Sequence, residues 1–284
     1  MDNDQSLYRM LLQMDGRGYK AYKDIQGSYQ FPFFVLKVDY VQGDPFAAPS
    51  KMRAIVDAKV AGFPPELYES PSRAVALRDY LTRQFARAAF RISSRRGTGR
   101  YDVSAPTGRR GQISVAKLGQ QVLERTSAFI NSEFVELRFT LGLPASGRTI
   151  LGRQAAEMLC QDIPQIVEES LLYKNLDSQA ISTQVETVED ADWLRDQLRE
   201  KGLVAFVPDG AMLARYSGAD DRPAADALPF ESPPSLRVQF HCPNGGRISG
   251  MGIPAGVTLI VGGGYHGKST LLRAIEMGVY NHIP

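Results

Sequence analysis

Cysteine is scarce, with Cys160 and Cys242 the only two in 284 residues. They are far apart and show no CxxC or Cys/His metal spacing. Two thiols cannot staple a chain of this length, so a disulfide scaffold is excluded and a reducing compartment fits. Long apolar runs are also missing. No segment reaches the roughly 18 consecutive apolar residues of a membrane span. The start, MDNDQSLYRM, is polar and acidic and lacks the form of a signal peptide. The expected location is the cytoplasm, with no membrane partner. Net charge is only +2, so bulk charge selects no partner. Internal repeats and long low-complexity tracts are absent as well.

What is present is ordinary in amount and uneven in distribution. The apolar share of 43% suits a globular protein with a sizeable core. From Arg73 to Arg110 there are ten arginines, no lysine, and only Asp79 and Asp102 as acids, a surplus of eight positive charges. From Glu157 to Glu231 sixteen acids face six bases, a deficit of ten. This contrast favours two domains over one.

Along the chain, Leu7, Met10, Leu11 and Met14 recur at helical spacing, and Asp15-Gly16 ends that helix. The aromatic and β-branched run 31–41 and the run 52–60 read as strands. Ser70-Pro71 opens the longest helical pattern, which reaches Ile92 with Val75, Leu77, Leu81, Phe85, Ala88, Ala89 and Ile92 on its apolar face. A basic Gly/Ser loop follows, and then three more strands at 112–116, 122–130 and 134–143. Two or three helices fill 150–175, and another spans 193–202. LVAFVP, SLRVQFH, RISGMGI and VTLIVGG read as strands, the last leading into a glycine loop, and 217–234 reads as a loop.

That loop is the most informative segment. Gly262-x4-Gly267-Lys268-Ser269 matches GxxxxGK[ST], the Walker A or P-loop pattern. Val257–Val261 before it is predicted to be a buried parallel strand. Leu271, Leu272, Ile275 and Val279 after it lie at helical spacing. The residue types suit phosphate. Gly262, Gly263, Gly264 and Gly267 let main-chain N–H groups approach an anion, with Tyr265 and His266 between them. The helix starting near Lys268 aims its positive end at the same oxygens. Lys268 is expected to reach the β- and γ-phosphates, Ser269 to ligate Mg2+, and Thr270 to sit near the α-phosphate. The expected ligands are therefore ATP and Mg2+.

The stretch GMGIPAGVTLIVGGGYHGKSTLLRAIEMGVYNHIP resembles the P-loop region of the bacterial ABC-class ATPase family. DGRGYKAYKDIQGSYQF and VDYVQGDPFAAPS resemble that family's N-terminal domain, and the similarity runs from near Leu7 to Pro284. ABC ATPases in general carry GxSGxGKST, which this loop departs from while matching the family's own form. The resemblance implies an α/β chain. A mixed α+β domain over 1–165 would be followed, over 166–284, by an ABC-type nucleotide-binding domain ending just after the Walker A helix. The Q-loop, signature motif and Walker B of the family have no counterpart here. The expectation is a truncated product or one half of a split protein, with hydrolysis open. A homodimer or a separate chain carrying the other half are the partners implied.

The second signal is basic. Arg83, Arg87, Arg91 and Arg95 recur every fourth residue, a slowly drifting stripe on one helical face, and Arg96, Arg100, Arg109 and Arg110 extend the charge. The stripe reads either as a solvated face or as a phosphate-backbone contact for RNA or another nucleic acid, with Tyr101 stacking on a base. Two functions therefore compete. One is the ATP-binding front half of an ABC-class ATPase acting with nucleic acid. The other is a non-catalytic nucleic-acid-binding module with a vestigial P-loop. A small-molecule kinase, the third reading, lacks room downstream for a lid. Phe240 reads as a core strand residue before an adenine stacker. His266, inside the loop, reads as a candidate to touch the γ-phosphate or to support a residue that does, His241 as ordinary, Asp39, Asp44 and Asp57 as surface acids, and Trp193 as a partly buried helix residue.

Overall fold

The computed structural model describes residues 2–95 and 111–284. Arg96, Arg100, Tyr101, Arg109 and Arg110 lie outside the described residues. Two compact units are present. The first comprises Met1–Ser70, Leu77–Leu118 and Glu124–Ile181, and the second Pro71–Ala76, Gly119–Leu123 and Ser182–Pro284.

In chain order the first elements are β1 (Asp2–Asn3), α1 (Asp4–Gln13), β2 (Gly27–Gln30), β3 (Val35–Tyr40) and β4 (Ser50–Asp57). They continue with α2 (Ala58–Ala61), α3 (Pro71–Arg95), β5 (Ile113–Ser114), β6 (Gln121–Val122), β7 (Ala128–Ile130) and β8 (Phe134–Leu141). Except for β6, these strands form one sheet in the order β1-β2-β3-β4-β8-β5, with β7 also on β8. The pairings are antiparallel save β1 with β2. The first unit is thus mixed α and β, as its sequence pattern predicts.

Local chemistry explains the elements. Asn3 Oδ1 accepts from the Ser6 N–H at 2.8 Å, and Ser6 Oγ accepts from the Asn3 N–H at 3.1 Å. This reciprocal cap starts α1, whose Leu7 and Leu11 are buried. β4 alternates strictly, burying Ser50, Met52, Ala54 and Val56. α3 buries Leu77, Leu81, Phe85, Ala88, Ala89 and Ile92, with Phe85 5.2 Å from the Phe139 ring of β8.

The sheet also carries an ionic ladder. Arg53 on β4 donates to Asp39 on β3 at 2.7 Å and to Glu136 on β8 at 3.0 Å, and Arg138 donates to Glu136 at 2.7 Å. These bonds hold the Arg53 guanidinium protonated, the contacts with Asp39 outweighing the cost of burial. The Glu136 side chain is only 6% exposed, so losing a partner is costly. Replacing Arg53 with leucine is expected to lower stability by about 1–2 kcal/mol in urea melts. Breaking a fully buried pair costs more, but partial exposure of Arg53 and the remaining Arg138 contact temper the loss.

After the sheet come a short hairpin, β9 (Ala145–Ser146) with β10 (Thr149–Ile150), then α4 (Gly152–Glu157) and α5 (Ile163–Leu171). A π-helical turn at Met158–Asp162 joins the two helices. Pro164 follows directly; it cannot donate to the preceding turn, and its ring crowds the carbonyl four residues back, so the ladder widens there. Burial pushes the Cys160 thiol in this turn up to about 12, with Asp4 adding to the shift. A thiol so poorly ionised is a weak nucleophile.

The longest stretch of the second unit starts within α6 (Ser178–Glu200), a longer helix than the 193–202 segment expected. β11 (Leu203–Pro208), β12 (Arg215–Ser217), β13 (Asp220–Pro223), β14 (Arg237–Cys242), β15 (Gly246–Pro254), α7 (Lys268–Met277) and β16 (Asn281–His282) follow. β15 lies between β11 and β14, antiparallel to both. β12 and β13 form a small hairpin that overlaps the start of the predicted loop 217–234, and β16 pairs with β6. Asp190 of α6 accepts from the backbone N–H of Asn244 at 2.9 Å and of Gly245 at 2.6 Å, which ties the β14–β15 turn to the helix.

Candidate functional site

The glycine loop sits between β15 and α7, and α7 is what anchors it. Leu271 and Ile275 pack on a core of Val207, Met251 and Ile253 from β11 and β15. Leu272 and Val279, predicted to share that face, are exposed. The helix therefore starts from a fixed base while the loop in front of it is open to solvent.

The run before the loop departs from expectation. Val257–Val261 belongs to no strand, and Val257, Leu259 and Val261 are each at least 75% exposed. A strand needs at least one hydrogen-bonded neighbour, and among the described residues none is bonded to this run. The predicted buried strand is not formed. Its β-branched pattern remains as an exposed apolar segment.

The loop itself takes left-handed backbone at two positions near the helix start. Gly267 has φ +76°, a value that side chains rarely adopt, and Tyr265 has φ +61° with its ring in solvent. Gly267 precedes α7 as its N-cap, and no side chain caps that end. The first four N–H groups of any α-helix lack intrahelical partners, so α7 presents donors and the positive end of its dipole. Lys268 folds back over the loop, its Nζ donating to the carbonyl of Gly262 at 2.8 Å and to that of Gly263. His266 Nδ1 accepts from the Gly263 N–H at 3.1 Å. Ser269 is exposed and Thr270 half-buried in the first turn of α7. Gly264 has open space where a Cβ would stand. The structure thus gathers Gly262, Gly263, Gly264, Tyr265, His266, Gly267, Lys268, Ser269 and Thr270 around one helix end.

Two arginines of the stripe are held in ion pairs. Arg83 donates to the buried Asp79 at 2.5 Å, and Arg91 pairs with Glu169. Arg87 is exposed and has no carboxylate partner among the described residues. With Tyr80, Gln84, Arg91, Glu169 and Asp177 it lines a cleft of about 420 Å3 in the first unit. Arg95 ends α3. The Arg91–Glu169 pair could not be foreseen, because the two lie 78 residues apart in sequence, whereas Arg83 and Asp79 are four apart on one helix, a spacing that is legible in sequence.

The remaining candidates are structural. Phe240 is 3% exposed, edge-on to Phe206 at 5.1 Å, with Lys201 Nζ 4.9 Å from its ring centre, so no face is left for a base. Asp39 pairs with Arg53, Asp44 accepts from the Phe46 N–H, and Asp57 caps α2. Among the described residues no group of three or more His, Cys, Asp or Glu could hold a metal, and no helix is long and apolar enough to cross a membrane.

Comparison with known proteins agrees with this arrangement. Residues 4–174 match the family model described as the N-terminal domain of ATPases of the ABC class, and residues 177–284 match the model of its P-loop domain. An uncharacterized protein of Methanocaldococcus jannaschii is 28% identical over 133 residues, a match covering 44% of this chain. The match spans 28% of that relative's length. A glycine loop before an uncapped helix, inside a matched P-loop domain and behind a matched N-terminal domain, leads to one conclusion: the chain belongs to the ABC-class ATPase family, with an ABC-type nucleotide-binding fold following its N-terminal domain.

Proposed function

We propose that the chain binds ATP with Mg2+ through the Walker A loop Gly262–Thr270. The observation that carries this reading is the placement of Lys268. Its ammonium lies over the loop carbonyls at the uncapped end of α7, where a triphosphate would meet both a cation and a row of amides. The residues fit the ligand. Gly267 supplies the left-handed turn, Gly264 leaves room for close approach, and Ser269 Oγ stands free in the first turn to ligate Mg2+. Bound Mg2+ would neutralise charge between the β- and γ-phosphates. Lys268 would orient those phosphates, and the α7 amides would hold their oxygens.

The test is titration with a fluorescent ATP analogue, with and without Mg2+, and competition by ATP, pyrophosphate and adenosine. Competition by ATP and pyrophosphate but not by adenosine is expected, since the phosphates carry the recognition. Equal competition by adenosine would refute the reading.

A second reading, contact of the N-terminal domain with RNA or another nucleic acid, rests on Arg87, the described stripe residue without a carboxylate partner. Binding of single-stranded RNA should weaken with salt, and Arg87→Ala should reduce the slope of log affinity against log salt by about one. No binding at low salt would remove this reading. The exposed run Val257–Val261 supports a partner that supplies strands, either a second copy or a separate chain. Light scattering distinguishes self-association from a monomer.

A further inference from the structure

We propose that His266 is a built-in plug of the loop, occupying in the nucleotide-free protein an amide that a phosphate oxygen takes on binding. The inference rests on the loop being a phosphate site, as proposed above, and adds a role for one of its residues.

The Gly263 residue is held at both ends. Its N–H donates to His266 Nδ1 at 3.1 Å, and its carbonyl accepts from Lys268 Nζ. An imidazole nitrogen with a free lone pair does for that N–H what a phosphate oxygen would do, but without charge. Accepting at Nδ1 places the ring proton on Nε2. The ring also lies across the loop. A Cβ at Gly263 would stand 3.1 Å from His266 Cε1 and 3.4 Å from Nε2, and one at Gly262 would stand 3.5 Å from His266 Cβ. The approach is tight at Gly263, where a side chain would crowd the ring, and ordinary van der Waals contact at Gly262.

The plug is built to leave. His266 is exposed, its neighbours Gly264 and Gly267 have nothing within 4 Å of a Cβ position, and Tyr265 turns into solvent. Nothing in the loop holds the ring except its bond to Gly263. A polyphosphate brings several charges to the amides and to Lys268, and so displaces a neutral acceptor. Every ligand that takes the Gly263 amide bears the same cost. A histidine serving as a γ-phosphate ligand would behave in the opposite way, helping ATP and not pyrophosphate.

The test compares His266→Ala, His266→Asn and Lys268→Ala in the 284-residue chain, using ATP and pyrophosphate as ligands and the Gly263 amide resonance as a structural reporter. Removing the plug should tighten both ligands by roughly three- to tenfold, the worth of one exposed hydrogen bond. It should also shift the Gly263 amide signal before any ligand is added. His266→Asn keeps a side-chain acceptor and should stay within about twofold of the parent. If His266→Ala weakens ATP binding or leaves it unchanged while Lys268→Ala abolishes it, the plug is overturned and the loop reading stands. A gain in His266→Asn equal to that in His266→Ala overturns the acceptor role. If Lys268→Ala binds ATP like the parent, the loop reading itself falls and the plug with it.

Discussion

Lys268→Ala is expected to weaken ATP binding by about a hundredfold or more. A charge-assisted hydrogen bond to phosphate contributes about 1.5–3 kcal/mol, and Lys268 is placed to make more than one. It is also the cation nearest the loop amides, with its Nζ already over the carbonyls of Gly262 and Gly263. The replacement should leave the fold intact, because α7 is held by Leu271 and Ile275 and not by Lys268. Circular dichroism and melting temperature should match the parent while the fluorescent analogue no longer binds. Lys268→Arg should recover little. A planar guanidinium cannot fold into the two-carbonyl seat that a compact ammonium occupies. Unchanged affinity in Lys268→Ala would mean that nucleotide, if bound, sits elsewhere.

Gly152→Ala should cost about 3 kcal/mol of stability in the first unit, or prevent it from folding. A Cβ at this position would lie 2.3 Å from the Leu11 carbonyl oxygen, 2.8 Å from Asp15 N and 2.9 Å from Asp15 Cα. All three are backbone atoms at the end of α1, so no side chain can rotate aside and the helices must separate. Separation also strains the bond from the Gly152 N–H to Asp15 Oδ1 at 2.6 Å. Gly18→Ala is the control. Gly18 has φ −64°, and no atom lies within 4 Å of its Cβ position. It should change stability by less than about 0.5 kcal/mol. Urea unfolding of the two variants side by side measures the difference. Equal midpoints would show that α1 and α4 do not meet as closely as described.

Much of the local structure was legible in the order of residues. Ser70-Pro71 and the apolar spacing after it specified α3, and the runs 52–60 and 134–143 marked the strands β4 and β8 to within a few residues, because caps and local composition act over short stretches. The glycine loop was legible for the same reason, since GxxxxGKS encodes its own turn and helix start. Other features depended on distant partners. The arginine stripe looked uniform, yet Arg91 is bound to the distant Glu169 while Arg87 has no carboxylate partner among the described residues. Gly152 gave no sign of its role, because the atoms it must clear belong to Leu11 and Asp15. His266 read as a phosphate candidate, and only the folded loop revealed its bond to Gly263.

The sequence by itself determined that this chain carries a GxxxxGKS glycine loop opening a helix, behind a mixed α and β N-terminal region. The physical reason is that helix caps, strand alternation and glycine turns are set by neighbours in the chain. The tertiary structure decided which of those residues are free to act. It paired Arg91 with Glu169, buried Phe240 and left Val257–Val261 unpaired, because such pairing and burial depend on groups that only folding brings together.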